Sequence, residues 1–388
     1  MTVLVAARPA SRGDILKLAT GFAVSQMGDA AYGIGLTAVV YARSQSAALA
    51  GAVTAARVLP AVVAGPVAGM LADRTHRLNL LILADLSRVA LMAASAAAVI
   101  AGWPVWTLLV LAAWAQAAAV VSGPCLAATL PTLVGVAGLA KANATRAVLT
   151  ELSFIAGPLI VAGLLSFHAH AALFAVIGAA FAASAALLLT ITDHSAFRVV
   201  GFARSRASLR TVGAALRGRP ALLTMALTDV VGSFVYGLLT VLLVMVVADD
   251  RYGLAFVALG AGGILGALTA PRCGDSPRAA AVILAALAVM LDLCGLDLGF
   301  ATLTLVLGMA GAAITTIEVR TDIAVQRDTP PPVVGTMAGW ILHADYVAMA
   351  AGAALAAPLT TVVGLQAAFP VAAVVVATSA ALLILRRT

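Results

Sequence analysis

Charge is the scarcest property of this chain. Only 10% of its 388 residues are Asp, Glu, Lys or Arg, while 63% are hydrophobic. A soluble domain carries about a quarter charged residues, so this chain cannot clothe a water-facing surface in polar groups, and a bilayer is its natural solvent. Aromatics make up 5% and cysteines number three, Cys125, Cys273 and Cys294. Scattered and odd in number, they imply neither a disulfide framework nor a cysteine-rich metal site. No P-loop pattern is present, which excludes direct use of ATP. No cleavable leader is evident, because the first apolar run, after Arg8, Arg12 and Lys17, is too long for one.

What is abundant is apolar length. A spanning helix needs about 20 mostly apolar residues, and twelve runs qualify. The first six are Leu16–Tyr41, Ala47–Leu71, Leu78–Ala101, Val105–Leu130, Ala144–Ser166 and Ala171–Thr192. The second six are Ala221–Val247, Leu254–Ala270, Ala279–Gly295, Leu298–Ile317, Thr336–Ala357 and Gly364–Leu385. The expected fold is an all-α membrane protein with twelve transmembrane helices in two pseudo-symmetric six-helix bundles. Residues 1–192 and 221–388 form the bundles, and a basic cytoplasmic linker, 193–220, joins them.

Orientation follows from Lys and Arg in the short loops. With both termini cytoplasmic, most of the 23 basic residues fall inside, including Arg74, Arg77, Lys141, Arg146, Arg272, Arg278, Arg320 and Arg327. The linker adds Arg198, Arg204, Arg206, Arg210, Arg217 and Arg219. Topology therefore accounts for the net charge of +7, and nucleic acid is not an expected partner. An internal repeat agrees with two halves. Gly28-x-x-x-Tyr32-Gly33 echoes Gly232-x-x-x-Tyr236-Gly237, Gly65 and Arg74 echo Gly263 and Arg272, and Ala156-Gly157-Pro158-Leu159 echoes Ala356-Ala357-Pro358-Leu359. Each pairs span n with span n+6, the order of two parallel six-helix repeats.

The loop after the second span reads Gly69-Met70-Leu71-Ala72-Asp73-Arg74-Thr75-His76-Arg77-Leu78-Asn79-Leu80-Leu81. This resembles the major facilitator signature G-x-L-A-D-R-x-G-R-R-x-x-L, departing from it at His76 and Leu78. Ser25-Gln26-Met27-Gly28-Asp29, Leu59-Pro60, Ala84-Asp85-Leu86-Ser87-Arg88 and Leu130-Pro131-Thr132-Leu133-Val134 are similar to the macrolide-efflux and enterobactin-exporter branch. Gly157-Pro158 resembles part of the antiporter motif and is expected at a helix-packing contact. Ala113-Trp114-Ala115-Gln116 lacks the basic residue that many proton-coupled drug antiporters carry in helix four.

The resemblance implies a gating role for the signature, with which the physics agrees; without the resemblance these residues read as topology charges. Gly69 leaves space where helix ends meet, Asp73 suits the positive N-terminal end of a neighbouring helix, and Arg74 and Arg77 suit carboxylates or lipid phosphates. Ionisable groups at bilayer depth are costly and face a partner or a cavity. Asp29 and Arg57 lie at similar depth in adjacent antiparallel spans and are expected to pair. His343 and Asp345 sit near the middle of span eleven, and Glu151 and Asp229 nearer the cytoplasmic side. By the repeat, Asp229 aligns with Ser25. The resemblance implies that helices one, four, seven and ten line the cavity, which selects Gln26, Asp29, Gln116 and Asp229. Asp29, Glu151, Asp229 and Asp345 are candidate proton carriers. Asp85 and Arg88, three residues apart, read as a structural ion pair, and Glu318 with Asp322 as a solvated helix end. His168-Ala169-His170 is too small a set for a metal site. Asn143-Ala144-Thr145 matches a glycosylation acceptor but falls inside.

The expected function is secondary active transport by alternating access, with proton-coupled export of a drug-like, siderophore-like or other amphiphilic small molecule. The alternatives are a non-transporting sensor or scaffold of the same fold, and an uptake carrier. Neither an enzyme activity, a cofactor nor a metal is expected. The partners are a small-molecule substrate, protons and the lipid bilayer. The chain is expected to act as a monomer in a bacterial cytoplasmic membrane.

Overall fold

The computed structural model describes residues 11–165, 170–198, 212–213, 216–247, 249–274 and 276–385. His168 and the linker residues Arg204, Arg206 and Arg210 lie outside the described residues, as does Arg8. Long helices dominate: α1 (Arg12–Ser44), α2 (Ala47–Arg74), α3 (Arg77–Ile100), α4 (Val105–Ala119), α5 (Ser122–Leu165), α6 (His170–Leu189), α7 (Pro220–Val246), α8 (Asp249–Thr269), α9 (Pro277–Cys294), α10 (Phe300–Asp328), α11 (Val334–Val363) and α12 (Leu365–Leu385). Nine helical stretches among the described residues are long and apolar enough to cross a membrane, one of them the run Val105–Leu165. The chain is an all-α, multi-spanning membrane protein. Its outer faces agree: Val63, Trp106, Leu305 and Val362 are exposed, a surface suited to lipid tails.

Local chemistry sets the helix starts. Ser11, Ser46 and Ser276 accept the free amides of Asp14, Leu49 and Ala279 at the first turns of α1, α2 and α9. Pro220 and Pro277 open α7 and α9, where a missing N–H costs nothing.

Three boundaries differ most from the sequence expectation. The fourth run, expected to end at Leu130, breaks after Ala119, and the chain restarts as α5 at Ser122. Pro124 has no N–H for the carbonyl four residues back, Val120, and is well placed only in the first turn of a new helix. Within α5 the helix is interrupted at Gly135 (φ 66°, ψ 171°), a left-handed conformation that favours glycine. The fifth span resumes there, ahead of the expected Ala144. The tenth run, expected to stop at Ile317, continues as α10 to Asp328. Glu318, Arg320 and Asp322 look like a helix end in sequence, yet Arg320 is buried and both carboxylates are paired.

The chain forms two compact units. The first gathers the described residues of Met1–Leu139, Leu152–Ser208 and Thr329–His343. In it α3 and α1 pack on α6, and α2 on α4, around a core that includes Tyr32, Leu36, Met92, Leu108, Phe174 and Phe181. The second gathers Ala140–Glu151, Leu209–Asp328 and Ala344–Thr388. Here α10 packs on α8 and α7, and α9 on α12, around Leu238, Leu242, Leu284, Leu291, Leu307 and Phe369. The first third of α11 thus belongs to the first unit, and a middle portion of α5 to the second.

Candidate functional site

Inside the first unit, polar side chains from five helices form one chain of contacts. Arg57 on α2 donates from Nη2 to Asp29 Oδ2 on α1 at 2.9 Å, and from Nε to Gln116 Oε1 on α4 at 3.2 Å. Arg88 on α3 places Nη1 4.0 Å from Asp29 Oδ1. It also donates to Asp85 and, at 2.7 Å, to Ser25 Oγ. Ser25 and Ser184 donate to the two oxygens of Asp85 at 3.0 and 2.6 Å. The Arg88 guanidinium stacks 4.2 Å over Phe181, a favourable arrangement for a desolvated cation. Asp85 and Arg88 are buried, whereas Asp29 and Arg57 each keep about a quarter of their side-chain surface exposed. Two carboxylates meet two guanidiniums, so the formal charges balance. Gln26, also on α1, is partly exposed.

The signature loop between α2 and α3 lies in the same unit. Asp73, at the end of α2, accepts the amides of Gly335 and Thr336 at 2.8 and 2.6 Å. These are free donors at the start of α11, where the helix dipole favours a negative charge. A side chain at Gly69 would run into the carbonyl of Gly335, which explains glycine there. Arg74 is exposed, but Arg77 is not. Arg77 was expected to meet a carboxylate or a lipid phosphate. Instead it donates to the carbonyls of Ala72 at 3.0 Å and Ala128 at 2.8 Å, tying the end of α2 to α5. Gly157 brings α5 within 2.8 Å of the Ala31 amide, measured from where a Cβ would stand, so α5 and α1 pack closely one residue before Pro158.

Beside this signature loop, the segment following α6 is docked against α1. Thr192 and Asp193 donate their amides to Asp14 at 3.3 and 3.2 Å, and Lys17 donates to the Thr190 carbonyl at 2.6 Å. Burial pushes the Asp14 carboxyl up, but these amides, the Thr192 hydroxyl and Ser11 bring it below its usual value. The His76 and His194 rings lie 5.7 Å apart. Burial, then the nearby charges of His194 and Arg198, hold the His76 imidazole below its ordinary value, outweighing the hydrogen bond with the His194 backbone.

The second unit holds a different balance. Arg146 on α5 pairs with Glu318 at 3.2 Å and with Asp322, both on α10. These two acids are not the solvated helix end expected of them. Glu151, a turn further along α5, accepts the Thr315 hydroxyl at 2.9 Å. Asp229 on α7 lies within electrostatic reach of Asp345, Glu318, Asp322 and Arg146. Asp345 on α11 bonds Ser233, while its Oδ1 is buried with no hydrogen-bond partner among the described residues. Asn143 and Gln326 exchange two hydrogen bonds, at 2.7 and 3.0 Å. Arg146, Glu318 and Asp322 were missed as site residues because each reads as a topology charge. The one available signal was the four-residue spacing of the two acids. Among the described residues, no group of three or more His, Cys, Asp or Glu could hold a metal ion.

Comparison with known proteins fits this geometry. The family described as the Major Facilitator Superfamily matches residues 18–344. An uncharacterized MFS-type transporter of Sinorhizobium fredii, y4rN, is 27% identical over 349 residues, 84% of each chain. Among solved structures, the human organic anion transporter MFSD10 (TETRAN) superposes with a TM-score of 0.78 at 18% identity, covering 97% of this chain and 100% of its own. A bacterial homologue of the iron transporter ferroportin, in an outward-facing state, gives 0.72 at 13% identity, covering 95% and 97%. The fucose:proton symporter FucP of E. coli gives 0.68 at 14%, covering 95% and 98%. At these identities the likeness concerns the fold.

Proposed function

The chain belongs to the Major Facilitator Superfamily, whose members are non-catalytic, multi-pass membrane transporters, and from that premise we propose that it exports a small amphiphilic molecule across a bacterial cytoplasmic membrane in exchange for protons. On this reading the chain has twelve spans, the fourth running through α4 into α5 as far as Gly135 and the fifth filling the rest of α5, with halves at 1–192 and 221–388, a linker at 193–220 and both termini cytoplasmic. The halves alternate access to a midplane site. The similarity of Ser25–Asp29 and Ala84–Arg88 to the macrolide-efflux and enterobactin-exporter branch favours export of a drug-like or siderophore-like compound. The similar solved structures differ in what they are named for, being an organic anion transporter, a homologue of an iron transporter and a fucose:proton symporter. They support transport without choosing the cargo.

The observation that carries the proposal is the difference in charge balance between the polar cluster inside the first unit and the one inside the second. In the first, Asp29 is the counter-ion of Arg57 and lies near Arg88. This partly exposed pair, with Gln116 of α4 bonded to Arg57 and Gln26 on α1, suits recognition of a polar group on the substrate. In the second, Glu151, Asp229, Glu318, Asp322 and Asp345 gather near Arg146. Five carboxyls beside one guanidinium cannot all be ionised cheaply in a low dielectric, so this unit is the place to take up protons. Asp229, Glu151 and Asp345 are assigned to coupling, and Asp29 with Arg57 to the substrate. The gate residues Gly69, Asp73, Arg74 and Arg77 hold the cytoplasmic side closed during half of the cycle.

The test uses everted membrane vesicles with an acid interior and an entrapped pH dye, challenged with dyes, antibiotics and siderophore-like compounds. A compound that releases protons from wild-type vesicles is expected to release none with Asp229→Asn or Glu151→Gln. With Asp29→Asn the half-saturating compound concentration is expected to rise about tenfold or more. Unchanged proton release in Asp229→Asn, Glu151→Gln and Asp345→Asn would remove the coupling assignment.

A further inference from the structure

We infer that His343 is a positioning residue of the cytoplasmic gate, and that it works by capping a backbone carbonyl of α2 that Pro66 leaves without its helical partner. This rests on the alternating-access reading and adds a residue to it.

The argument begins with Pro66, which lies inside α2. In a helix the amide of residue 66 would bond the carbonyl of Val62, but proline has no N–H. In a bilayer, water is not at hand to take up a freed carbonyl, so another group of the protein has to. His343 does so: its Nδ1 lies 2.6 Å from Val62 O. A carbonyl oxygen only accepts, so Nδ1 carries the proton in this bond.

The backbone path makes this reach possible. Gly65 and Gly69 on α2 face Gly335 and Gly339 on α11. A Cβ at Gly65 would stand 3.0 Å from the Gly339 carbonyl and 3.4 Å from His343 Cβ, and one at Gly339 would stand 2.5 Å from the Gly65 carbonyl. Two small-x-x-x-small pairs therefore bring the helices to backbone contact. Trp340, one turn before His343, meets its ring edge-on with centroids 5.4 Å apart and fixes its orientation. The crossing thus has two polar anchors. Asp73 holds the first amides of α11, and His343 holds α2 about two turns deeper. All of these residues lie in the first unit. For the cytoplasmic side to open, the Thr329–His343 segment must leave that unit. The Val62 carbonyl is then orphaned, which favours the closed state.

The experiment reads gate opening without needing a substrate. The full chain, with Cys125→Ala, Cys273→Ser and Cys294→Ala, carries Val334→Cys, a position buried on α11. It is purified into lipid nanodiscs and labelled with a hydrophilic maleimide. His343→Leu removes the donor and keeps the bulk, and is expected to raise the labelling rate about fivefold. His343→Asn, which can place an N–H where Nδ1 stands, is expected to label within about twofold of the parent. Pro66→Ala returns an amide to α2, so in that background His343→Leu is expected to change the rate by less than about twofold. An unchanged rate in His343→Leu overturns the inference. So does a fivefold rise that persists with Pro66→Ala, since the histidine would then act by packing alone. If His343→Leu fails to fold, the Pro66→Ala/His343→Leu pair decides: it folds and labels like Pro66→Ala, or the inference falls. Should the labelling pattern hold while no compound moves protons, the latch stands and the proton-coupled reading fails.

Discussion

Asp73 is a short side chain with two obligations, and both are to backbone amides. Replacing it with Asn keeps the shape but removes the charge and one acceptor. Hydrogen bonds to a charged group contribute about 1.5–3 kcal/mol each, so Asp73→Asn is expected to raise maleimide labelling of Val334→Cys by about tenfold or more. An unchanged rate would mean that the contact does not hold the gate. His76 supports a prediction about pH. Its folded value lies below the ordinary 6.5, so the unfolded chain takes the proton first as the pH falls. Both states are neutral above 6.5, and His76 then has no effect on stability through its charge. Below 6.5 the folded state loses stability, until the pH passes the folded value. Thermal melts in detergent between pH 8 and 5.5 are expected to fall more steeply for the parent than for His76→Asn. Parallel curves would show that His76 is not responsible.

Long-range pairs between helices decide how α5 and α10 are held. Arg146 joins a portion of α5 to Glu318 and Asp322, two positions on one face of α10. Arg146→Met leaves two acids facing each other in a partly buried site. The cost of breaking such a cluster comes mostly from the charge left unpaired. The melting temperature is therefore expected to drop by several degrees, and Arg146→Met with Glu318→Gln and Asp322→Asn to recover most of that loss. Failure of the triple variant to recover would point to packing of the arginine stem as the larger contribution. α2 shows the opposite design. Pro66 weakens its internal hydrogen bonding, and the glycines at 65 and 69 remove side chains, so the helix depends on a neighbour to be whole.

Taken as one molecule, the chain is covered by apolar surface and keeps its polar chemistry inside each compact unit. The Asp29, Arg57, Asp85 and Arg88 cluster of the first unit is charge-balanced, while the cluster around Arg146 in the second carries an excess of carboxyls. Proton-coupled export predicts that substitutions in the two units fail differently. Arg57→Gln is expected to weaken compound recognition and leave residual proton release at saturating compound. Asp345→Asn is expected to abolish proton release while compound binding persists. Proton release and equilibrium binding, measured on the same preparations, separate the two. Identical defects from both substitutions would argue against divided roles.

Much of this was legible in one dimension because the information was local. Apolar length marked the long helices, and Gly69 and Asp73 marked a close contact at the end of α2, since each depends on neighbours within a turn or a loop. The Asp29–Arg57 pair was legible for a related reason: two antiparallel adjacent helices place their midpoints at one depth. The break before Ser122 and the extension of α10 past Ile317 were not, because hydropathy does not see a missing amide or a charge neutralised from another helix. Arg146 with Glu318 and Asp322, and His343 with the Val62 carbonyl, were settled only by tertiary packing. Their partners are more than 170 residues apart in each case, and one of them is a backbone oxygen present at every residue. What makes that oxygen matter is Pro66 four residues on and a helix close enough to answer it.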